Sequence, residues 1–235
     1  MAERNARFSI LNVLSRSVLA NFHLCPAKLR KIRYLCTSLS LIIVISDLLK
    51  KEVMACLDAL NSGGIIVYPT DTIWGIGCDA TNPEAVKKIY SIKKRNDSKS
   101  QIILLDNADK LSLYVHDIPL ITWDLLKNIT SPLTIIYPEG RNLAPNVLGE
   151  DGSVAIRIVN HEFCRELIRE FGRPIVSTSA NISGGANPHS FDDIDPSIHE
   201  QADYTVMAYH NVISAVRPSR IIKLYQNGEF DVIRP

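Results

Sequence analysis

The sequence predicts an α/β fold, a single-domain twisted mixed sheet flanked by helices and containing a concave ligand cleft. Short apolar runs alternate with helical patterns from about residue 41 onward. Prolines at positions 132, 138 and 145 interrupt that alternation, which favours a mixed sheet over a regular doubly wound one. No internal repeat or low-complexity linker follows residue 40, so one domain is expected there.

Predicted strands and helices follow one another along the chain. Strands are expected at residues 41–45, 65–68, 100–105, 134–137, 154–159 and 174–177. Helices are expected at residues 48–60, 83–91, 108–115, 118–129 and 162–171. Asp47 is placed to cap the first helix, Gly63 and Gly64 to end it, and Pro83 to begin the second.

Composition excludes several classes of protein. The chain has 235 residues, of which 46% are hydrophobic, and a formal net charge of +1, which argues against disorder. Residues 1–43 carry +6 (seven basic side chains and one acid), so the rest carries −5. A mildly acidic body is not a general nucleic-acid-binding surface, and any RNA contact would be local.

Neither a membrane protein nor a disulfide framework is indicated. The apolar run at residues 39–49 contains Ser46 and Asp47 and is too short to span a bilayer. The five cysteines form no C-x-x-C pair and no zinc spacing, which is typical of reduced thiols in the cytoplasm.

The N-terminal region differs from the rest of the chain. Residues 1–38 are basic, poor in acids and without a hydrophobic period, so we expect an N-terminal extension followed by a catalytic domain at 39–235. An organelle transit peptide and a disordered segment upstream of the true start are both open interpretations.

Three polar clusters occur where strands are expected to begin or end, which is where ligand sites of α/β sheets gather. Residues 68–77 place hydroxyls, a carboxylate and two glycines after a buried strand. Residues 93–99 contain four cations, which suits polyphosphate. Residues 174–185 combine hydroxyls with an amide that can hold an anion or adenosine. Taken singly, they also fit a turn, a solvated charged face and a Ser-rich loop.

Several familiar chemistries are missing from the sequence. It contains no G-x-x-x-x-G-K-[ST] loop, no G-x-G-x-x-G after a strand and no G-x-S-x-G elbow. His161 and Cys164 lie three residues apart at a predicted helix start, and we interpret them as capping and core residues rather than metal ligands.

Taken together and in order, the clusters resemble the threonylcarbamoyl-AMP synthase family, whose domain is called YrdC-like. The matching segments are Pro69–Gly77, Lys93–Arg95, Val154–Arg157, Ser179–Gly184, Pro218–Ser219 and Arg234. The resemblance covers about residues 45–235 and implies the short, single-domain form of that fold.

The resemblance implies an L-threonylcarbamoyladenylate synthase, a nucleotidyltransferase. Such an enzyme converts L-threonine, bicarbonate or CO2, and ATP into threonylcarbamoyl-AMP and pyrophosphate, for the threonylcarbamoyladenosine modification of tRNA. The resemblance further implies Mg2+ with ATP, and partner proteins that move the carbamoyl group onto tRNA. Direct binding of tRNA by this chain stays open.

The resemblance also assigns residues by motif position. Lys93 and Arg95 would be catalytic, and no metal-binding residue is assigned because no acidic pair marks one. Threonine would be bound by Thr72, Arg157 and Ser219, with Arg157 pairing its carboxylate. The expected ATP-binding residues are Arg95, Lys99, Ser153, Ser177, Ser179, Asn187 and Arg234.

The sequence departs from the family pattern at four positions. Asn96 replaces a proline, Trp74 replaces the usual tyrosine, and Arg220 replaces the threonine of a P-S-T motif. Leu104 stands where some relatives place a histidine. These changes bear on the details of the threonine pocket.

Two other functions fit part of the pattern. A non-catalytic module on the same fold could bind tRNA or double-stranded RNA through residues 93–99, although no aromatic residue is interleaved with those cations. A carbamoyl-transfer domain of the hydrogenase-maturation type shares the motifs, but the cysteines do not match its zinc-finger region.

Overall fold

The structure is a computed structural model that describes residues 47–94, 101–209 and 218–235. Residues 51–235 form one compact unit. The extension expected at residues 1–38, the strand expected at 41–45, Arg95 and Lys99 lie outside the described residues. The expected domain boundary at residue 38 therefore stays a prediction.

The described ranges contain nine strands and six helices. The strands are β1 (Ile66–Tyr68), β2 (Gly75–Asp79), β3 (Ile102–Leu105), β4 (Leu133–Tyr137), β5 (Val154–Ile158), β6 (Ile175–Ser179), β7 (Tyr204–Thr205), β8 (Arg220–Leu224) and β9 (Phe230–Arg234). The helices are α1 (47–61), α2 (Pro83–Ile92), α3 (Leu111–Tyr114), α4 (Ile121–Asn128), α5 (Glu162–Phe171) and α6 (Pro196–Gln201). Single 3-10 turns occupy Ala108–Lys110, Pro145–Val147 and Phe191–Asp193.

Local chemistry explains where the helices begin and end. The Asn82 side chain accepts hydrogen bonds from two free N–H groups at the start of α2, and Pro83 occupies the first helical position. Gly172 ends α5 with a φ of 73°, a left-handed conformation that side chains other than glycine rarely adopt. The predicted helix start at Pro83 is confirmed.

All nine strands form one mixed sheet in the order β7-β1-β2-β6-β3-β5-β4-β8-β9. Neighbours pair parallel at β1–β7, β3–β5 and β4–β8, and antiparallel elsewhere. The predicted mixed α/β sheet is therefore confirmed. None of the described helices has the length and apolarity needed to cross a membrane.

Strand β2 was not predicted, because its sequence, Gly-Ile-Gly-Cys-Asp, is typical of a turn. Gly77 allows this strand to pair closely with β6. A Cβ atom at that position would lie 2.1 Å from the carbonyl oxygen of Val176. Glycine therefore serves here to let two backbones approach, rather than to reverse the chain.

The two faces of the sheet have different roles. Alternate residues of the central strands, such as Ile76, Ile103 and Ile156, enter one hydrophobic core that includes apolar side chains of α2. The intervening residues point to the opposite face. Part of that face is covered near α5, where the Cys164 thiol donates a hydrogen bond to the carbonyl oxygen of Pro69.

Strand register places two arginines on that second face. Arg157 of β5 lies opposite Thr134 of β4, which lies opposite Ile221 of β8, which in turn lies opposite Arg234 of β9. Cross-strand partners share a face, and three strand spacings separate the two arginine backbones by roughly 14 Å. A β-bulge at Ile221/Ile222 brings Arg234 into this row. We call these four residues the arginine row.

Candidate active site

A cavity of about 280 Å3 opens above the arginine row. Seven of the predicted site residues line it: Thr72, Arg157, Ser177, Ser179, Asn187, Ser219 and Arg234. They come from segments up to 162 positions apart, which the sheet brings together. No carboxylate occurs among the described residues that line the cavity. Apart from its apolar residues, the described lining therefore consists of cations, hydroxyls and amides, a set of groups suited to anions.

Arg157 is buried in the wall of the cavity, with 6% of its side chain exposed. Its Nη1 donates to the Thr72 hydroxyl at 3.0 Å, and that hydroxyl lies 2.9 Å from the hydroxyl of Thr70. Thr70 in turn donates to the carbonyl oxygen of Ile73 at 2.8 Å. This chain of hydrogen bonds fixes the guanidinium, while its Nε has no hydrogen-bond partner within the described structure. A buried N–H group without a partner is a ready donor to a bound anion.

Asp71 contacts the same guanidinium from the other side. Its Oδ1 lies 3.5 Å from Nη2 of Arg157, and its Oδ2 accepts a hydrogen bond from the backbone N–H of Asn160 at 3.1 Å. Sequence reasoning gave Asp71 no role, although it lies inside the first motif. It does not line the 280 Å3 cavity but a neighbouring one of about 1270 Å3.

Arg234 reaches the cavity from the edge strand and is held by neutral groups. Its Nε donates to the carbonyl oxygen of Ser219 at 2.8 Å, and its Nη2 lies 3.3 Å from the Ser219 hydroxyl. That hydroxyl is 2.7 Å from the hydroxyl of Thr134, at the middle of the arginine row. Ser219 is therefore a support for Arg234 as well as a cavity residue.

The two arginines influence each other electrostatically. Burial, and next the positive charge of Arg157, lower the pKa of the Arg234 guanidinium. Two cations placed close enough to repel raise the energy of the empty site. An anion bound between them removes that repulsion, so the pair favours an anionic ligand.

Lys93 has a different position from the one that its predicted catalytic role implies. Its ammonium group is buried and does not line the cavity. It donates to the carbonyl oxygens of Ser179 and Asn181, the latter at 2.6 Å, and lies 3.3 Å from Asn181 Oδ1. Its own carbonyl accepts from the N–H of Ser183 at 3.0 Å. Lys93 thus holds the loop at residues 179–183, and its catalytic role stays a prediction.

Ser153 also lies away from the cavity-lining residues. It precedes β5 in a turn where its N–H donates to the Asp151 carboxylate at 3.1 Å and its carbonyl accepts from Gly149. Its predicted contact with ATP therefore has no counterpart in the described cavity and stays a prediction.

Among the further cavity residues to which sequence reasoning assigned no role, four have polar or aromatic side chains: Thr70, Trp74, Gln101 and Thr178. Trp74 packs edge-on against Phe191, with the ring centroids 5.5 Å apart. Gln101 is 1% exposed, and neither polar atom of its side-chain amide has a hydrogen-bond partner among the described residues. The motif around Trp74 could have indicated that residue, but no local pattern marks Gln101.

The positions that depart from the family pattern differ in their distance from the cavity. Trp74 lines it, and Leu104 lies opposite Arg157 on the neighbouring strand. Arg220 is exposed at the start of β8, and Asn96 lies outside the described residues. Cys164 is buried at α5, as expected of a core residue, whereas the His161 side chain makes no capping hydrogen bond.

Comparison with known proteins identifies the family of this chain. The sequence profile of the Sua5/YciO/YrdC family, which is described as "Telomere recombination", matches residues 58–235. A protein of Pseudoalteromonas translucida named threonylcarbamoyl-AMP synthase is 34% identical over 160 residues, covering 67% of this chain and 86% of its own length. A protein of the same name from Idiomarina loihiensis is 31% identical over 170 residues, which covers 71% of this chain and 90% of that protein.

Solved structures share the fold over most of this chain. A doubly substituted Sua5 of P. abyssi superposes with a TM-score of 0.70 at 26% identity, over 78% of this chain and 56% of its own. P. abyssi Sua5 complexed with L-threonine superposes with a TM-score of 0.64 at 27% identity. The match covers 73% of this chain and 50% of that protein, so this chain spans about half its length. YciO of E. coli, at 22% identity and a TM-score of 0.68, shares the fold over 79% of this chain and 89% of its own. The chain belongs to the Sua5/YciO/YrdC family.

Proposed function

We propose that the chain is an L-threonylcarbamoyladenylate synthase. The observation that carries this proposal is a cavity whose described lining includes no carboxylate and in which Arg157 and Arg234 share one row of the sheet with hydroxyl groups around them. Two bacterial relatives bear the name threonylcarbamoyl-AMP synthase, and a structural neighbour was solved with L-threonine.

Threonine binding is assigned to the Arg157 end of the cavity. A guanidinium with an unpartnered Nε–H is suited to a carboxylate, and the fixed hydroxyl of Thr72 lies 3.0 Å from the same guanidinium. Binding the carboxylate would leave the amino group of threonine free to react. That amine adds to CO2, supplied as bicarbonate, and loses a proton to give a carbamate.

The nucleotide is assigned to the remaining polar groups. Arg234, Ser177, Ser179 and Asn187 line the cavity and offer one cation, two hydroxyls and an amide. An oxygen of the carbamate attacks the α-phosphorus of ATP, which forms the new P–O bond and expels pyrophosphate. This nucleotidyl transfer needs no protein nucleophile, so catalysis depends on positioning and on neutralising charge.

Arg95 and Lys99 are proposed to hold the triphosphate, on motif position alone. Mg2+ is proposed to accompany ATP. Because the described cavity offers hydroxyls and amides but no carboxylate, phosphate oxygens and water would supply most of its ligands. The ion would neutralise phosphate charge.

The product of this reaction is an activated carbamoyl donor. We propose that partner proteins in the cytoplasm transfer it to tRNA, since the reaction itself leaves the modification of the nucleoside unfinished. The free buried thiols Cys56, Cys78 and Cys164 agree with a reducing compartment.

Pyrophosphate release from ATP tests the proposal. We expect release that requires both L-threonine and bicarbonate and depends on the magnesium concentration. Arg157→Gln should abolish it. Arg141→Gln, which changes an exposed arginine outside the cavity, is the matched control and should retain it.

Release without a requirement for threonine, or no release from folded protein that binds ATP, would contradict the proposal. In the second case, salt-dependent binding of tRNA would favour the RNA-binding alternative.

A further inference from the structure

The two arginines of the cavity differ in how their charges are compensated. Arg157 lies 3.5 Å from the Asp71 carboxylate, and only 6% and 11% of the two side chains are exposed. Arg234 is bonded to the carbonyl and hydroxyl of Ser219, which carry no charge. The cavity therefore contains one guanidinium paired with an acid and one whose positive charge is uncompensated by any described contact.

This difference matters because the proposed substrates carry different charges. The carboxylate of an amino acid is a monoanion, whereas phosphate groups carry more negative charge and three strong acceptor oxygens. An uncompensated guanidinium attracts both, and attracts the phosphate more strongly. A guanidinium already paired with a carboxylate keeps its N–H donors but presents less net charge, which reduces its preference for the more highly charged ligand.

We propose that Asp71 is a specificity-determining and positioning residue, which reserves Arg157 for the carboxylate of the amino acid and prevents phosphate from occupying it. This inference rests on the proposed function. Asp71 would act through Arg157 and from outside the cavity, since it lines the neighbouring cavity instead.

The position of Asp71 supports a role in fixing the guanidinium as well as in reducing its charge. The N–H of Asn160 donates to Oδ2, which leaves Oδ1 facing Nη2 of Arg157. On the opposite side, Thr72 accepts from Nη1. The guanidinium is thus held between two consecutive residues of one loop, by a hydrogen bond to Thr72 and an ion pair to Asp71. Its buried Nε has no hydrogen-bond partner within the described structure.

Substitution D71N removes the charge and keeps an oxygen that can accept from Asn160. We expect the KM for threonine to rise about tenfold with a smaller change in kcat. In addition, inorganic phosphate at millimolar concentration should become a competitive inhibitor with respect to threonine. In the wild type, phosphate should compete with ATP only.

D106N is the matched control. Asp106 lines the same neighbouring cavity, its side chain is also 11% exposed, and its ion-pair partner is Lys110 rather than Arg157. This variant should retain the wild-type KM for threonine and the wild-type pattern of phosphate inhibition. D71E, which keeps the charge, should restore resistance to phosphate.

Competition between phosphate and threonine that is equal in D71N and wild type would overturn the inference. So would phosphate sensitivity in D71N that D71E fails to relieve. D71S is a second neutral variant, and if neither D71N nor D71S folds, Asp71 is a structural residue and the inference is wrong. Failure of the proposed function would appear differently, as wild-type activity that does not require threonine.

Discussion

Replacing Lys93 by methionine separates a supporting role for this residue from a catalytic one. The ammonium group is buried and donates to the carbonyls of Ser179 and Asn181, with the Asn181 side-chain oxygen 3.3 Å away. Methionine fills a similar volume but donates no hydrogen bond. The loop at residues 179–183 would therefore lose its attachment to the end of α2.

The expected loss of stability follows from these contacts. Hydrogen bonds from a charged donor contribute about 1.5 kcal/mol each, so three contribute roughly 4.5 kcal/mol. Methionine avoids burying a charge, which offsets about 1.5 kcal/mol of that loss. The free energy of unfolding should therefore fall by about 3 kcal/mol, or by roughly 6–12 °C in Tm for a chain of this size.

Urea unfolding followed by circular dichroism measures this change, and pyrophosphate release measures activity in the same samples. K88M is the matched control, because Lys88 lies on α2, the helix that Lys93 follows, is exposed and contacts a single carbonyl oxygen, that of Gly63, at 3.0 Å. Its stability should stay within about 0.5 kcal/mol of the wild type.

A K93M protein with wild-type stability and no activity would refute the reasoning. Lys93 would then act on the substrate, as its motif position implies. Lower stability with activity retained at low temperature would instead assign it to the support of the loop.

Three further predictions concern the sheet, the cavity wall and a surface carboxylate. Gly77→Ala should lower the free energy of unfolding by more than 3 kcal/mol, because its Cβ would lie 2.1 Å from the Val176 oxygen; urea unfolding measures this. Gln101→Leu should raise that free energy by about 1 kcal/mol, since it removes a buried amide that has no hydrogen-bond partner in the described ranges. Hydrogen bonds from Lys223 and Ser153 lower the pKa of Asp151 to about 2, below its ordinary 3.8. The contribution of the Asp151 carboxylate to stability should therefore be present above pH 4 and disappear as the pH falls through 2. Thermal unfolding of D151N across this range should lack this part of the loss of stability.

Each of these has an outcome that would contradict it. Gly75→Ala is the control for Gly77, because its nearest contact is the Ser177 hydroxyl at 3.3 Å, and equal losses in both variants would exclude the backbone argument. A lower stability of Gln101→Leu would mean that the amide has a partner. A pH profile of D151N identical to the wild type would remove Asp151 from the acid response.

The main features of the fold could be predicted from the sequence because its central elements carry strong local signals. Apolar β-branched runs predicted β3, β4, β5 and β6, and Pro83 predicted the start of α2 to the residue. Strand β2 was missed because glycines normally indicate turns, and its need for glycine arises only from the backbone of β6. Such a requirement depends on tertiary pairing, which no local pattern records.

Some residues of the site could be predicted from the sequence and others could not, because a motif does not record the direction in which a side chain points or its hydrogen-bond partners. Hydroxyls, arginines and an amide that follow or end strands are recognisable in order, and seven of these residues meet in the cavity. The motif does not indicate that Lys93 is turned into the protein, because lysine occurs both on solvated faces and in buried networks. Nor could it indicate Gln101, whose significance depends on its burial without a hydrogen-bond partner in the described part of the chain.

The arginine row has a consequence for the motions of the sheet. Arg157 lies on an interior strand paired on both sides. Arg234 lies on β9, which is the edge strand of the described sheet and pairs there with β8 alone, through a bulge. Edge strands open more readily than interior ones, so the amides of β9 should exchange with solvent faster than those of β5. A ligand that contacts both arginines would connect the edge strand β9 to the interior strand β5. Its binding should therefore slow exchange mainly along β9, so that this strand reports occupancy of the cavity.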